Sequence, residues 1–144
     1  MSSVETALAG SDVLVTCTPA RQAIVLDAWV PEGLFIAAVG ADSPGKQELD
    51  PHLVARSTAV ADVLAQCVKV GELQHPIAAG LISPESVHAE LGQVLCGLRP
   101  GRTEDAEVTL YDSTGTALQD VAVGAVVYEA AREAGMGLSV QLGA

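Results

Sequence analysis

The chain has 144 residues and a formal net charge of −11, and 49% of its residues are hydrophobic although only 3% are aromatic. This length fits one domain with an aliphatic core, and seven scattered basic residues among 144 argue against nucleic acid or an anionic membrane surface as a partner. Charged residues make up 17%, below the usual quarter, which indicates apolar surface that a second domain or subunit would cover.

Cysteine and histidine usage also limits the function class. Cys17, Cys67 and Cys96 are far apart in apolar surroundings, so we interpret them as free, buried thiols of a cytoplasmic protein. The three histidines show no metal-ligand spacing, which predicts no metal site. No apolar run approaches the roughly 18 residues of a membrane span, and no signal peptide is visible.

Apolar runs bounded by Gly and Pro predict four strands and several helices. The first half of the chain reads as a helix end, a strand, a short turn with the only tryptophan, and a second strand: residues 4–9, 13–18, 26–30 and 34–39. The middle reads as a helix capped by Asp50, a strand and a helical turn: residues 50–56, 58–63 and 64–70. The remainder reads as a helix, a strand, a long helix and a terminal strand: residues 83–95, 108–111, 118–134 and 138–142.

This alternation of strands and helices predicts an α/β fold, a partial Rossmann-like parallel sheet with flanking helices. Residues 1–144 are expected to form a single domain. The long helix and the tail, about 118–144, are expected to contact a second domain or subunit, because the helix stripe is small and apolar.

The loop after the second strand has the most unusual composition. Residues 40–46 contain two glycines, a proline, Asp42 and Lys46, beyond the carboxyl end of a buried strand, where parallel sheets bind ligands. Such a loop could bring backbone close to a ligand or could be a solvated turn. Asp42 is a candidate site acid or a loop residue that caps backbone amides. Lys46 is a candidate for pairing with Asp42 or binding substrate, or a solvated charge.

Two more strand-end loops should gather beside this one. Thr16 and Thr18 follow the first strand, and Ser113 and Thr114 follow the fourth. The threonines could contact a ligand or satisfy backbone groups, and Ser113 and Thr114 could face a ligand, cap the next helix, or do both. No Gly-x-Gly-x-x-Gly, Gly-x-Ser-x-Gly or catalytic-triad spacing is present.

Three motifs resemble one known family in order and spacing. The stretch 38–49 reads AVGADSPGKQEL and is similar to the central motif of the ornithine cyclodeaminase, μ-crystallin and archaeal alanine dehydrogenase family. Residues 15–19 and 112–120 match its flanking motifs, and residues 100–103 also match.

The resemblance implies a Rossmann-type domain that uses NAD or NADP to convert a small amino or imino acid. It implies that Asp42 is the catalytic acid/base. It further implies that six residues lie along the cofactor: Thr16, Thr18, Val39, Gly40, Ser113 and Thr114. Lys46 is the candidate substrate-binding residue.

The chain departs from the family because it lacks the glycine fingerprint. We therefore expect it to be the C-terminal half of such an enzyme, to bind the dinucleotide weakly and to be inactive alone. We also expect a homo-oligomer or a missing N-terminal half as partner. The alternative is a non-catalytic, oligomeric module of the same lineage that binds a small ligand or serves in assembly.

Overall fold

The computed structural model describes residues 3–141 and 143. Its strands are β1 (Val13–Thr16), β2 (Arg21–Val25), β3 (Phe35–Ala38), β4 (Gln47–Leu49), β5 (Thr58–Ala61), β6 (Ala89–Glu90) and β7 (Thr109–Asp112). Its α-helices are α1 (Val4–Leu8), α2 (Pro51–Arg56), α3 (Leu64–Val70), α4 (Gln74–Ala78), α5 (Leu91–Leu95) and α6 (Ala117–Glu133). Short 3-10 turns lie at Asp27–Trp29 and Pro84–Ser86.

The main sheet is parallel and confirms the predicted α/β class. Within residues 3–141, five strands pair in the order β1-β3-β7-β5-β6, and every neighbouring pair is parallel. A separate parallel pair, β2 and β4, follows the first and second strand-end loops. Because β1, β3 and β7 are adjacent and parallel, their carboxyl ends meet at one edge of the sheet.

The core lies on one face of the main sheet. Alternate strand residues such as Ile36 and Leu110 point to this face and are fully buried against Leu53 of α2, Cys67 of α3 and Leu73. On the opposite face Val13 and other strand residues are exposed. One aliphatic layer therefore holds the helices and the strand ends together.

Helix α2 begins as the sequence predicts. The Asp50 side chain accepts a hydrogen bond from the His52 amide at 2.9 Å, and Pro51 occupies the first turn, where no amide donor is needed. Helix α3 at residues 64–70 and the end of α1 before Gly10 also agree with the prediction.

The predicted helix over residues 83–95 is wrong. The chain forms a 3-10 turn, the two-residue strand β6 and the short helix α5. The His88 amide donates to the Ala59 carbonyl at 3.0 Å, so this backbone pairs with β5 instead of closing helical turns. Two strands without a clear alternating pattern, β2 and β4, and helix α4 were also not predicted.

The long helix was predicted correctly. No residue of α6 is buried, and apolar side chains such as Val121 and Val126 are largely exposed. Of the predicted strand 138–142, residues 138–141 are not in a strand, and Leu142 lies outside the described residues.

The cysteine prediction is partly wrong. All three thiols are free, but only Cys67 is buried, and Cys17 and Cys96 are exposed. No helix in the described part of the chain is both long enough and apolar enough to cross a bilayer.

Candidate functional site

The site candidate is the edge where the loops after β1, β3 and β7 meet. The Val39 amide donates to the Thr16 carbonyl at 2.9 Å, and the Ser113 amide donates to the Ala38 carbonyl at 2.9 Å. The structure therefore places the predicted loop residues side by side, as strand order required.

Asp42 and Lys46 form an ion pair in the loop after β3. Lys46 Nζ lies 2.7 Å from Asp42 Oδ1 and also donates to the Gly40 carbonyl at 3.2 Å, and Ser43 Oγ donates to the same Asp42 oxygen at 2.8 Å. The hydrogen bonds from Lys46 and Ser43 lower the pKa of Asp42. Asp42 is 50% exposed, so an ionised carboxylate is open to a ligand at neutral pH.

Neighbouring elements hold this loop in place. Gly45 has φ +75°, a conformation that a glycine adopts without strain, and its amide donates to Gln74 Oε1 at 2.9 Å. The ring of His75 hydrogen-bonds to the Lys46 carbonyl at 2.6 Å. Helix α4, which was not predicted, therefore positions the Asp42–Lys46 pair.

Gly40 is required by a buried carboxylate. A Cβ at Gly40 would lie 2.6 Å from Glu48 Oε1, far inside van der Waals contact. Glu48 is fully buried and accepts amide hydrogen bonds from Gly40 at 3.0 Å and from Thr18 at 2.6 Å. The Glu48 side chain therefore connects two loops of the site edge.

Thr16 and Thr18 have different environments. Thr18 Oγ1 accepts from the Ala20 amide at 3.2 Å, so this side chain satisfies local backbone. Thr16 is 4% exposed, and within the described residues its Oγ1 is the buried side-chain oxygen or nitrogen that has no hydrogen-bond partner. An unpaired buried hydroxyl is costly, and a bound polar group could satisfy it.

Ser113 and Thr114 bind an acid that the sequence analysis missed. Asp62, just after β5, accepts from Ser113 Oγ at 3.1 Å and from the Thr114 and Gly115 amides at 2.9 Å each. Burial acts to raise the pKa of Asp62, but hydrogen bonds from Cys67, from the Val63 and Thr114 amides and from Ser113 outweigh it and lower the pKa. The helix-capping alternative is wrong, because the residue at the start of α6 is Thr116, and it makes no side-chain cap.

Two further buried acids lie behind the site edge. Glu72 accepts the Glu48 and Leu49 amides at 2.7 and 3.1 Å, and Asp112 accepts the Glu72 and Leu73 amides at 3.0 and 3.1 Å. Burial raises the pKa of Glu72 to about 8 and that of Asp112 to about 6, against the opposing effect of those amides. The sequence offers one weak signal for Glu72, the pair Gly71-Glu72 beside an apolar run.

Two cavities lie away from the Asp42 loop. A cavity of about 870 Å³ is at the amino ends of the strands, near Asp12, Gly33 and Arg102, and includes no predicted site residue. A cavity of about 380 Å³ between α1, β1 and β2 includes Thr16 and Thr18. Among residues 3–141 and 143, no group of three or more His, Cys, Asp or Glu side chains could hold a metal ion.

Comparison with known proteins identifies the family of this chain. The profile of the ornithine cyclodeaminase/mu-crystallin family matches residues 1–135. The chain belongs to this family. Alanine dehydrogenase of Archaeoglobus fulgidus is 48% identical over 130 residues, which are 90% of this chain and 40% of that protein.

Solved structures of relatives share the fold. An archaeal alanine dehydrogenase dimer with bound NAD is 47% identical with a TM-score of 0.84, over 92% of this chain and 41% of that one. The Δ1-pyrroline-2-carboxylate reductase of Thermococcus litoralis, in complex with NADH and L-proline, is 33% identical with a TM-score of 0.92, over 97% of this chain and 44% of that one.

These matches correct one expectation. The family is confirmed, and the chain spans about two fifths of the length of the relatives it matches. The narrower expectation that it is the C-terminal half of such an enzyme is not supported by them.

Proposed function

We propose that this chain supplies the proton-transfer group and the nicotinamide-side contacts of an enzyme that uses NAD or NADP to interconvert a small amino acid and its imino or keto form. The observation that carries the proposal is the Asp42–Lys46 pair at 2.7 Å, half-exposed at the carboxyl end of β3 between the loops after β1 and β7. The names of the family relatives, which are dehydrogenases and reductases of small amino and imino acids, support this substrate class.

The residues at the site edge fit a dinucleotide in part. Thr16 offers a buried hydroxyl without a partner, and Val39 is partly exposed next to it. By contrast, the Gly40 and Thr18 amides already bind Glu48, and the Ser113 and Thr114 hydroxyls already contact Asp62. Thr16 and Val39 are therefore our candidates for holding the cofactor, which supplies the hydride chemistry when bound.

Asp42 would act as the base. Its carboxylate is ionised at neutral pH because Lys46 and Ser43 stabilise the charge, so it can accept a proton from a substrate amine or an attacking water. The Lys46 ammonium, which also binds the Gly40 carbonyl, fixes the position of the acid relative to the backbone. Lys46 would thus reach substrate mainly through Asp42.

The test is turnover by the enzyme completed with the segments that relatives possess beyond the matched two fifths. NADH oxidation is followed with small 2-oxo acids plus ammonium and with cyclic imino acids. Asp42→Asn should lower kcat by about a hundredfold, the effect of losing a positioned proton-transfer group. Asp50→Asn, which changes an acid that caps α2 outside the site, is the matched control. Asp42→Asn turnover equal to that of the control would refute the role of Asp42.

A second candidate is a non-catalytic oligomeric module that binds a small ligand. No residue of α6 is buried and apolar side chains lie exposed along it, which favours association with a second copy or domain. The dimer among the solved relatives supports association of this kind. The absence of NADH-dependent turnover in the completed enzyme, with a defined oligomer in solution, would favour this candidate.

A further inference from the structure

Three buried carboxylates connect the site loops in series. Asp112 at the end of β7 accepts the amide of Glu72, Glu72 accepts the amide of Glu48, and Glu48 accepts the amides of Gly40 and Thr18. Asp112 thus holds the backbone of Glu72, and Glu72 holds the backbone of Glu48. Glu48, the last of the three, holds the two site loops. All three side chains are fully buried, and none has an ion-pair partner among the described residues.

The Glu48 side chain bonds the two loops that follow the paired strands β1 and β3. The two strands pair from Val13 to Thr16, and the last backbone bond between them joins the Val39 amide to the Thr16 carbonyl. The two chains pair again where the Gln47 amide donates to the Ala20 carbonyl at 3.0 Å, at the start of the β2–β4 pair. Between these two points the Glu48 carboxylate accepts one amide from each loop, at Gly40 and Thr18. A side chain from β4 therefore links the two loops in the stretch between the β1–β3 and β2–β4 pairs.

This arrangement is expensive if it serves stability alone. Burying carboxylates without cations costs several kcal/mol in desolvation, and apolar side chains of similar size are often as stable or more so. Position 40 must also be glycine, because a Cβ there would lie 2.6 Å from the Glu48 carboxylate oxygen Oε1. What the carboxylate provides, and an apolar residue cannot, is a fixed pair of bonds to two loops.

We propose that Glu48 is a positioning residue, whose buried carboxylate holds the Thr18 and Gly40 amides and thereby sets the geometry of Thr16, Val39 and Asp42 at the site edge. Glu72 and Asp112 hold Glu48 in place from behind. The inference rests on the proposed function for its consequence in turnover, but the clamp itself is a property of this chain.

The clamp is tested first on the 144-residue chain by NMR. In the wild type, couplings through hydrogen bonds should connect the Gly40 and Thr18 amide nitrogens to the Glu48 carboxylate carbon. The absence of both couplings would overturn the proposal, and this measurement needs no variant to fold. Glu48→Gln leaves one acceptor oxygen for two amides. Hydrogen exchange of the Gly40 or Thr18 amide with solvent should therefore accelerate at least about tenfold.

The matched control is Asp50→Asn. It changes a carboxylate two residues away that also accepts a backbone amide, but outside the site loops, and asparagine caps a helix about as well as aspartate. Exchange at Gly40 and Thr18 should stay at the wild-type rate in this control. Unchanged exchange in a folded Glu48→Gln variant would overturn the proposal.

The consequence for the reaction is measured in the completed enzyme. Glu48→Gln should lower kcat per folded molecule by about a hundredfold, as expected when reacting groups are misplaced by about 1 Å. Glu48→Asp, which restores the charge at a shorter reach, should recover part of this loss. A purely structural role would lower the melting temperature while kcat per folded molecule stayed normal, and that result would overturn the proposal. If the wild type has no NADH-dependent turnover, the proposed function fails, and the couplings still decide whether Glu48 holds the two loops.

Discussion

The buried acid Glu72 should make the stability of this protein fall as pH rises. Burial raises its pKa from the ordinary 4.5 to about 8, so between these values the folded chain holds a proton that the unfolded chain releases. Stability from this group is therefore fully present below about pH 4.5 and is lost as pH rises through about 8. Burial of Asp112, with a pKa raised to about 6, adds a second loss between its ordinary value and pH 6.

The magnitude follows from proton linkage. One extra proton held in the folded state changes the free energy of unfolding by about 1.4 kcal/mol per pH unit. From pH 5 to pH 8, titration of Glu72 alone amounts to roughly 3 kcal/mol, a large part of the 5–15 kcal/mol typical of a domain. The Glu72→Gln variant cannot ionise, and its amide group leaves one of two backbone donors unpaired at a cost of about 1–3 kcal/mol.

The expected result is a stability gap that closes with pH. At pH 5 Glu72→Gln should be less stable than the wild type, and by pH 8 the difference should shrink by about 3 kcal/mol or reverse. Urea denaturation followed by the fluorescence of Trp29, which packs against the core, measures both proteins. Glu133→Gln on the exposed surface of α6 makes the same substitution outside the core and is the control.

Parallel curves of stability against pH for the wild type and Glu72→Gln would contradict this prediction. If wild type and Glu72→Gln lose stability with the same slope from pH 5 to 8, Glu72 is ionised in the folded protein throughout that range. The amides of Glu48 and Leu49 would then outweigh burial in setting its pKa.

Four other predictions concern the site and the surface. Gly40→Ala should cost about 1–3 kcal/mol in urea unfolding, because its Cβ meets Glu48, whereas Gly124→Ala in open space on α6 should be neutral or stabilising; equal effects would contradict this. Lys46→Met should raise the Asp42 pKa and move the acid limb of the pH–rate profile of the completed enzyme to higher pH, and an unmoved limb would mean that Lys46 does not set it. Isothermal titration should find that this chain alone binds NAD(H) or NADP(H) more weakly than about 1 mM, since its sequence has no glycine-rich pyrophosphate cradle; micromolar binding would point to another phosphate site. Light scattering at micromolar concentration should show an oligomer that covers α6, and a stable monomer would contradict this.

Several features of the fold were readable from the sequence because their causes are local. Apolar runs before turn residues predicted β1, β3, β5 and β7, and the Asp50-Pro51 pair predicted the start of α2. The segments β4 and β6 have three and two residues, too few for a periodic pattern, and the five residues of β2 show no clear alternation of apolar and polar residues. Their positions depend on backbone partners elsewhere in the chain, and so they were missed.

At the site, too, some features follow from the sequence and others only from the tertiary structure. The sequence alone determined that the loops after β1, β3 and β7 share an edge, since parallel strands present their carboxyl ends together, and that Asp42 and Lys46 lie close in one loop. Only the tertiary structure decided which groups remain available to a ligand. Glu48 binds Thr18, which is 30 residues away, and Asp62 binds Ser113, which is 51 residues away. Spacing in sequence carries no trace of such hydrogen bonds, because they form only after the sheet brings distant loops together and burial requires every amide and carboxylate to find a partner.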